Sequence, residues 1–210
     1  AYNLEESNLQ EHNPEDNFTH KIPWKFDSDA QAPKINKFLD DVVDNKRDKE
    51  LILETIGYSL LADYPYAHAL LLNGRGKNGK TVLLKIWKNL LSESNYKEEE
   101  LQQLENGRFA TRWLYRKLGL FCDDLPSTKL ESGSTIKSLT GGGETRAEIK
   151  QGDHFDFKSY ATPVFACNQI PASNDDSEGF FRRWEIVHFP YRFVDNPVNE
   201  NHKQQKDTTD

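Results

Sequence analysis

The stretch GRGKNGKT, residues 74–81, constrains the fold more than any other part of the chain. It matches the pattern G-x-x-x-x-G-K-[ST] at every fixed position. The preceding HALLLNG is a short apolar run typical of a buried strand, and the residues that follow carry apolar side chains at helical spacing. A strand, a glycine-rich loop and a helix in this order form the context in which such a loop cradles phosphate groups.

Each residue type in this loop has a role in holding a nucleotide by its phosphates. Loop amides and the N-terminus of the following helix favour negative charge. The lysine reaches the β- and γ-phosphates, and the threonine hydroxyl binds Mg²⁺. The predicted phosphate-binding residues are Gly74, Gly76, Lys77, Asn78, Gly79, Lys80 and Thr81.

Two adjacent acids, Asp123 and Asp124, directly follow the apolar run LGLFC. That run predicts a buried strand, and open α/β sheets bind ligands at the carboxyl ends of their strands. One carboxylate suits a Mg²⁺ ligand, and the next suits a base that orients an attacking water. A pair of acids that only caps a loop before Pro126 is the alternative, and the preceding glycine-rich loop favours the functional interpretation.

Asn168 and two successive arginines complete the set of candidate catalytic groups. Asn168 ends the run ATPVFAC, where its amide could hold a water against a γ-phosphate, and an ordinary turn residue is an equally good interpretation. Arg182 and Arg183 follow GFF. One of them could stabilise transition-state charge in a neighbouring subunit, although residue chemistry alone favours a surface or salt-bridged pair.

The segment RAEIKQGDHFDF, residues 146–157, has strand-like residues on either side of Gln-Gly-Asp. This pattern predicts a hairpin with Lys150 and His154 near its tip. Such a hairpin could contact a nucleic-acid backbone, although a solvated hairpin is the more common structure.

The order of the apolar segments predicts an α/β fold. Strand-like and helix-like segments alternate in the second part of the chain, which favours a central, mostly parallel sheet with helices on its faces. Two amphipathic segments within residues 35–64 predict a small helical subdomain ahead of it, and the charged segment 95–109 is predicted to be helical. The predicted divisions are an arm with the helical subdomain (1–66), an ATPase core (67–194) and a flexible tail or truncated end (195–210).

The charge distribution leaves room for a nucleic-acid partner. The net charge of −7 argues against a protein that coats nucleic acid. However, residues 1–70 carry 14 acidic and 7 basic side chains, whereas residues 71–210 carry 20 of each.

Cys122 and Cys167 lie in apolar runs, which favours buried free thiols in a reducing compartment such as a cytoplasm. Apolar runs such as ALLL are far too short to span a bilayer, so no membrane partner is expected.

Together, these motifs resemble superfamily 3 helicases, and more narrowly the C-terminal helicase part of phage and plasmid primase-helicases, a group that includes poxvirus proteins. GRGKNGKT is similar to that family's Walker A motif, and FCDDLP to its Walker B motif. IKSLTGGGETRAEIK resembles its B′ segment, TPVFACNQIP its sensor asparagine motif and GFFRRWEIVHFPYRF its closing arginine motif. Upstream, THKIPWKFDSDAQAP and ETIGYSLLADY resemble the helical domain that precedes the motor.

The resemblance implies an AAA+-like P-loop NTPase that uses ATP and Mg²⁺ to translocate on single-stranded DNA and to unwind forked duplex. Its catalytic residues would be Lys80, Asp123, Asp124, Asn168, Arg182 and Arg183, and its metal ligands Thr81 and Asp123. Its DNA contacts would be Lys150 and His154 on the hairpin, together with Lys137, which would face either DNA or the subunit interface.

Further expectations from the resemblance concern assembly and location. The resemblance implies a homo-oligomer, a hexameric ring, in the cytoplasm of the host cell of a phage, virus or plasmid. It places the primase domain elsewhere in the full-length chain. It also places the strand of Cys122 beside the strand of Cys167.

One departure from the family pattern falls in the B′ segment, whose usual core is K-x-L-T-G-G-D. Gly143 stands where the family has its acid, and Glu144 follows. Glu144 either substitutes with a shifted backbone, or the polar contact is lost.

Two other functions compete with a motor. The main alternative is a non-translocating, ATP-dependent assembly module of a replication complex, against which the paired acids and arginines argue, since scaffolding needs no hydrolysis machinery. A nucleoside or small-molecule kinase would need a lid rich in arginines. Residues 124–162 contain a single arginine, Arg146, which argues against a kinase.

Overall fold

The computed structural model describes residues 2–3, 6–106, 111–131, 133–148 and 154–204. Its helices are α1 (Pro33–Val42), α2 (Lys46–Tyr58), α3 (Lys80–Leu91), α4 (Leu101–Asn106), α5 (Ser134–Thr140) and α6 (Glu178–Phe181). Its strands are β1 (Tyr2–Asn3), β2 (Asn8–Leu9), β3 (Ala69–Asn73), β4 (Tyr96–Glu98), β5 (Gly119–Cys122), β6 (Glu144–Glu148), β7 (His154–Lys158), β8 (Thr162–Cys167), β9 (Trp184–His188), β10 (Arg192–Val194) and β11 (His202–Gln204). Short 3₁₀ helices span Pro14–Asp16, Glu93–Asn95 and Thr111–Leu114.

A five-stranded sheet with the order β4-β5-β8-β3-β9 forms the centre of the fold. Every neighbouring pair in it is parallel, and helices lie along the chain between its strands. This arrangement confirms the predicted α/β fold. Because parallel strands all point the same way, the ends of β3, β5 and β8 meet at one edge, where ligands of such sheets bind.

Apolar side chains fill both faces of this sheet. Along β3, Leu70 and Leu72 join a buried cluster with α3, whereas Ala69 and Leu71 join a second cluster on the opposite face. A strand buried on both faces reads as a continuous apolar run, which is why ALLL signalled a central strand. Leu39 of α1 and Ile52 of α2 belong to the α3 cluster, so the helices before the loop share a core with the sheet.

The two cysteines lie in adjacent strands, as the resemblance implied, because β5 pairs with β8. Both thiols are free and buried. Burial raises the pKa of Cys122 to about 11, and it also raises the pKa of Cys167. A protonated thiol is a weak nucleophile, so both side chains serve as small apolar core groups.

Two segments differ from their sequence-based prediction. Residues 95–109 were predicted to be helical, but β4 forms the edge of the sheet and α4 follows it. Residues 195–204, predicted as a flexible tail or cut end, include β11, which pairs in parallel with β10. Lys203 of β11 donates from Nζ to the Asp41 carbonyl oxygen at 2.5 Å, so this segment contacts α1.

The predicted hairpin is present as β6 and β7, which pair antiparallel with Glu148 opposite His154. Lys150 lies outside the described residues. None of the helices in the described ranges combines the length and the apolar character needed to cross a membrane.

Candidate nucleotide-binding site

The glycine-rich loop connects β3 to α3 and requires glycine at two positions. Gly79 has a φ of 95°, and a Cβ there would lie 2.6 Å from Cγ1 of Val42 in α1. A Cβ at Gly74 would lie 2.5 Å from the Phe189 carbonyl oxygen. Because these neighbours leave no room for a side chain, the first and last glycines fix the path of the loop.

Lys80 is the first residue of α3, and its side chain is buried under the loop, with 5% of the residue exposed. Its Nζ donates to the Gly74 carbonyl oxygen, to Asn78 Oδ1 at 3.3 Å and to Asn168 Oδ1 at 3.5 Å. Burial lowers the pKa of Lys80, while the nearby Cys167 and Asp124 oppose that shift. The ammonium is therefore held at the edge of the sheet, directed towards the loop.

Asn168 links Lys80 to the acid pair. Its Nδ2 donates to Asp124 Oδ1 at 3.3 Å, while its Oδ1 accepts from Lys80. The three side chains come from the ends of β5 and β8 and from the start of α3, so they form one polar chain across the carboxyl edge of the sheet. Asn168 and Asp124 are both exposed to solvent, where a phosphate or a water could reach them.

Asp123 is not part of this polar chain of hydrogen-bonded side chains. Its two carboxylate oxygens accept from Lys88 Nζ at 2.9 and 3.1 Å, and the same ammonium donates to Glu98 at 3.0 Å. Lys88 lies eight residues beyond Lys80 on α3, which is about 12 Å along the helix. Asp124 is thus the acid that faces the loop lysine, which favours Asp124 over Asp123 for the predicted roles of metal ligand and catalytic acid.

Lys88 was missed at the sequence level. Burial alone would lower the pKa of Lys88, but hydrogen bonds from its ammonium to Asp123 and Glu98 outweigh burial and raise it. Only 11% of the Lys88 side chain is exposed, compared with 33% of Asp123. This ion group ties α3 to the ends of β4 and β5. No local pattern could have identified it, because its partners are 10 and 35 residues away in sequence.

The rest of the loop fits a polyphosphate and a magnesium ion. Asn78 is buried, and its Nδ2 has no hydrogen-bond partner in the described part of the chain, which leaves a donor under the loop. Lys77 adopts a φ of 63°, and the Phe193 amide donates to its carbonyl oxygen at 2.7 Å. Thr81 is exposed in the first turn of α3. Its hydroxyl and the Asp124 carboxylate are the oxygen ligands that Mg²⁺ prefers.

The two arginines after α6 have different environments. Arg183 is 9% exposed, and its guanidinium donates to Thr140 Oγ1 at 2.9 Å and to the Gly179 carbonyl oxygen. Arg182 is exposed. Because Arg183 is bound within its own subunit, the exposed Arg182 is the better candidate for the predicted contact with a neighbouring subunit.

Lys137 was predicted to contact DNA, but it is held in an ion pair. Its Nζ lies 2.5 Å from Asp175 Oδ2, and this contact joins α5 to the turn before α6. Hydrogen bonds from Lys137 and Ser177 hold the pKa of Asp175 at about 2, below its ordinary value. His154, by contrast, is exposed at the start of β7, as a contact residue near a hairpin tip would be.

Comparison with known proteins supplies the family. A model described as a family of unknown function, DUF5906, matches residues 72–183, which is more than half of the chain. The chain belongs to this family. A second model, described as D5 N terminal like, matches residues 1–44. The DUF5906 match runs from the last part of β3 to Arg183, and so contains the whole polar chain at the sheet edge.

The individual proteins to which the chain is similar include two that are named as helicases. The chain is 25% identical over 206 residues to the "Putative helicase L207/L206" of Acanthamoeba polyphaga mimivirus, covering 92% of this chain and 21% of that protein. Among solved structures, the C-terminal region of NrS-1 matches with a TM-score of 0.60 at 16% identity, covering 78% of this chain and 39% of that one. JCV helicase matches with a TM-score of 0.51 at 16% identity, covering 72% and 43%.

These likenesses show that the chain has the P-loop NTPase fold of helicase domains. The chain spans about a fifth of the length of the viral protein that it matches and less than half of each solved chain.

Proposed function

We propose that this chain is the ATP-hydrolysing motor of a superfamily 3 replicative DNA helicase, part of a primase-helicase of a phage, virus or plasmid. The motor would translocate on single-stranded DNA and unwind duplex. One observation carries the proposal: Lys80, Asn168 and Asp124 form a continuous polar chain at the carboxyl edge of a parallel sheet. A loop that only binds a nucleotide needs the lysine, whereas a carboxylate and an amide beside it suit hydrolysis.

The roles of the side chains follow from their positions. The Lys80 ammonium, the Asn78 amide and the N-terminus of α3 would hold the phosphates of ATP. Asp124 would accept a proton at its carboxylate from the attacking water, and Asn168 would orient that water. Thr81 would hold Mg²⁺ through its hydroxyl, and that ion would neutralise charge on the phosphate oxygens.

Arg182 would complete the site of a neighbouring subunit in a homo-oligomer, which we propose to be a hexameric ring. It is the exposed member of its pair, and an arginine brought to a γ-phosphate stabilises the charge of the transition state. Each ATP site would then combine the loop of one subunit with Arg182 of the next.

The packing of α5 against α6 would couple the ATP site to the hairpin. α5 leads directly into β6 of the hairpin, and α6 precedes Arg182. Two contacts fasten these helices together: Lys137 with Asp175, and Thr140 with Arg183. A movement of the exposed arginine at the subunit boundary would therefore be passed to the hairpin that carries His154.

The proposal is tested by measuring ATP hydrolysis with and without single-stranded DNA. We expect hydrolysis that single-stranded DNA stimulates and that Lys80→Ala abolishes, because the ammonium is the main phosphate contact. The exposed Lys46→Ala on α2 is the matched control and should leave the rate unchanged. Hydrolysis that is indifferent to DNA would favour an assembly module and contradict a motor.

A further inference from the structure

A surface of basic and aromatic side chains lies beside the hairpin and takes no part in the chemistry described above. We name it the Trp113 surface and define it as Lys97, Arg112, Trp113, Tyr115 and Arg116. The 3₁₀ helix Thr111–Leu114 buries Leu114 in the core and turns its neighbours outward. Trp113 is 50% exposed and Tyr115 is 42% exposed, which is a large apolar area to leave in water.

Cations lie over both rings of this surface. The Arg112 guanidinium carbon is 4.1 Å from the centre of the Trp113 ring, and Lys97 Nζ is 5.8 Å from it. The Arg116 guanidinium carbon is 5.1 Å from the centre of the Tyr115 ring. These distances lie within the range of cation–π attraction, so the contacts hold rings and charges in one arrangement.

The three cations of this surface are not held in ion pairs in the described part of the chain. Within the described ranges, Lys97, Arg112 and Arg116 form no salt bridge with an acid. Lys88 of α3 differs from them, because its ammonium is paired with the carboxylates of Glu98 and Asp123. Three cations without an acidic partner among the described residues, in a chain whose net charge is −7, indicate that this surface meets an anion.

The surface is continuous with the hairpin. The Tyr115 ring lies 5.2 Å from the ring of Phe155 and 5.5 Å from that of Phe157, measured between centres. Both phenylalanines belong to β7, whose first residue is the exposed His154. Through these two rings the Trp113 surface packs directly against β7 of the hairpin.

We infer that the Trp113 surface binds single-stranded DNA, with unpaired bases stacked on Trp113 and Tyr115 and phosphates on the three cations. Aromatic side chains within a positively charged groove are the usual means of holding single strands without sequence preference. A duplex cannot use the rings, because its bases are already stacked. Tryptophan, tyrosine and arginine are also enriched at protein interfaces, so a subunit contact is the alternative that the sedimentation measurement below distinguishes. The inference rests on the proposed motor function, whose DNA path it extends beyond the hairpin.

The test is the binding of a fluorescently labelled oligo(dT) to the purified chain, followed by anisotropy without ATP. Trp113→Ala should weaken binding roughly 5- to 150-fold, the range expected for losing one base stack. Trp113→Phe keeps an aromatic face and should restore most of the affinity. Trp24→Ala is the matched control, since Trp24 is 55% exposed but lies next to α3, and it should bind as the wild type does. Binding of a duplex of equal length should respond little to Trp113→Ala.

The charges are tested by the salt dependence of the same measurement. The double variant Arg112→Gln with Arg116→Gln should lower the slope of log affinity against log salt by about 1.4, since each phosphate contact on a single strand contributes about 0.7. The control, Lys46→Gln with Arg47→Gln on α2, removes the same net charge and should leave the slope unchanged.

Three outcomes would overturn the inference. Equal binding by wild type and Trp113→Ala would show that the ring is not a contact, while leaving the motor proposal intact. A loss of binding that occurs only together with a change in sedimentation would assign the surface to a subunit interface. A wild-type chain that binds no oligo(dT) at all would remove both the inference and the motor proposal.

Discussion

The end of β5 and the end of α6 each place two identical charged residues side by side. In both segments one member of the pair is held within the subunit: Asp123 by the Lys88 ammonium and Arg183 by burial. The other member, Asp124 or Arg182, is exposed. The two segments carry opposite charge and lie on different elements, yet they share this division between a structural and an available side chain.

The backbone explains the division, and it does so differently in the two segments. The acids after β5 lie in a bend, where Asp123 turns towards Lys88 of α3 and Asp124 turns towards Asn168 and the loop. Successive residues of a helix are turned by about 100°, so the arginines after α6 diverge towards the core and towards solvent. Adjacent identical residues are therefore not interchangeable, and each pair predicts unequal effects of mutation.

The arginine pair predicts the larger difference in activity. Arg182→Ala should lower the rate of ATP hydrolysis about a thousandfold, the scale expected for losing an arginine at a transferring phosphate. Its free energy of unfolding should stay within about 0.5 kcal/mol of wild type, because the side chain is exposed. Arg47→Ala, an exposed arginine on α2, is the control for both measurements. An active Arg182→Ala would exclude the shared site.

Arg183→Ala should act on stability first. The variant loses a charge-assisted hydrogen bond to Thr140 in a buried setting, and we expect the free energy of unfolding to fall by about 2 kcal/mol. Urea denaturation followed by circular dichroism measures this loss. Equal free energies of unfolding of the Arg182 and Arg183 variants would contradict the assignment of a structural role to Arg183 alone.

Lys88→Met removes the ion pair that holds Asp123, and so tests the structural role of this aspartate. We expect a loss of about 1 kcal/mol in the free energy of unfolding, since the partners are partly exposed and solvent screens the ion group. The pKa of Lys88 is raised, so its contribution is complete below the ordinary lysine value of about 10.4 and declines only above it. The difference between wild type and variant should thus be constant from pH 7 to about 10 and shrink at higher pH. A difference that already shrinks below pH 9 would contradict this ion group.

Lys137→Gln gives the smallest expected effect. Because Lys137 is paired with Asp175, the affinity for oligo(dT) should change less than about twofold. Anisotropy in parallel with Arg112→Gln supplies the comparison, as that variant should bind more weakly. A large loss in Lys137→Gln alone would restore the DNA contact that the resemblance implied.

Much of the fold could be predicted from the sequence, because its central strands are continuous apolar runs and its loop has a fixed pattern. The hairpin and the neighbouring positions of Cys122 and Cys167 were also anticipated and are confirmed. β4 was missed because Tyr96–Glu98 is a short, polar edge strand without the alternation that identifies strands. β11 was missed for the same reason, since His-Lys-Gln resembles a solvated tail.

The candidate site could be predicted as a set of residue types but not as a set of contacts. Lys80 and Asn168 were anticipated, and they do approach each other. Which aspartate joins them depends on the direction of the chain after β5 and on Lys88, and neither is visible locally. The Trp113 surface was also missed, since Lys97 reaches Trp113 only through the packing of β4 beside the 3₁₀ helix.

The most direct test of the account is the rate of ATP hydrolysis by Asp124→Asn and Asp123→Asn, measured side by side with saturating single-stranded DNA. Both substitutions keep the size of the side chain and remove one charge. The account predicts that Asp124→Asn loses at least about a hundredfold in rate, as expected for losing a positioned base. Asp123→Asn should keep most of its activity, since its partner Lys88 lies away from the loop. A larger loss in Asp123→Asn than in Asp124→Asn would contradict the assignment of the catalytic carboxylate.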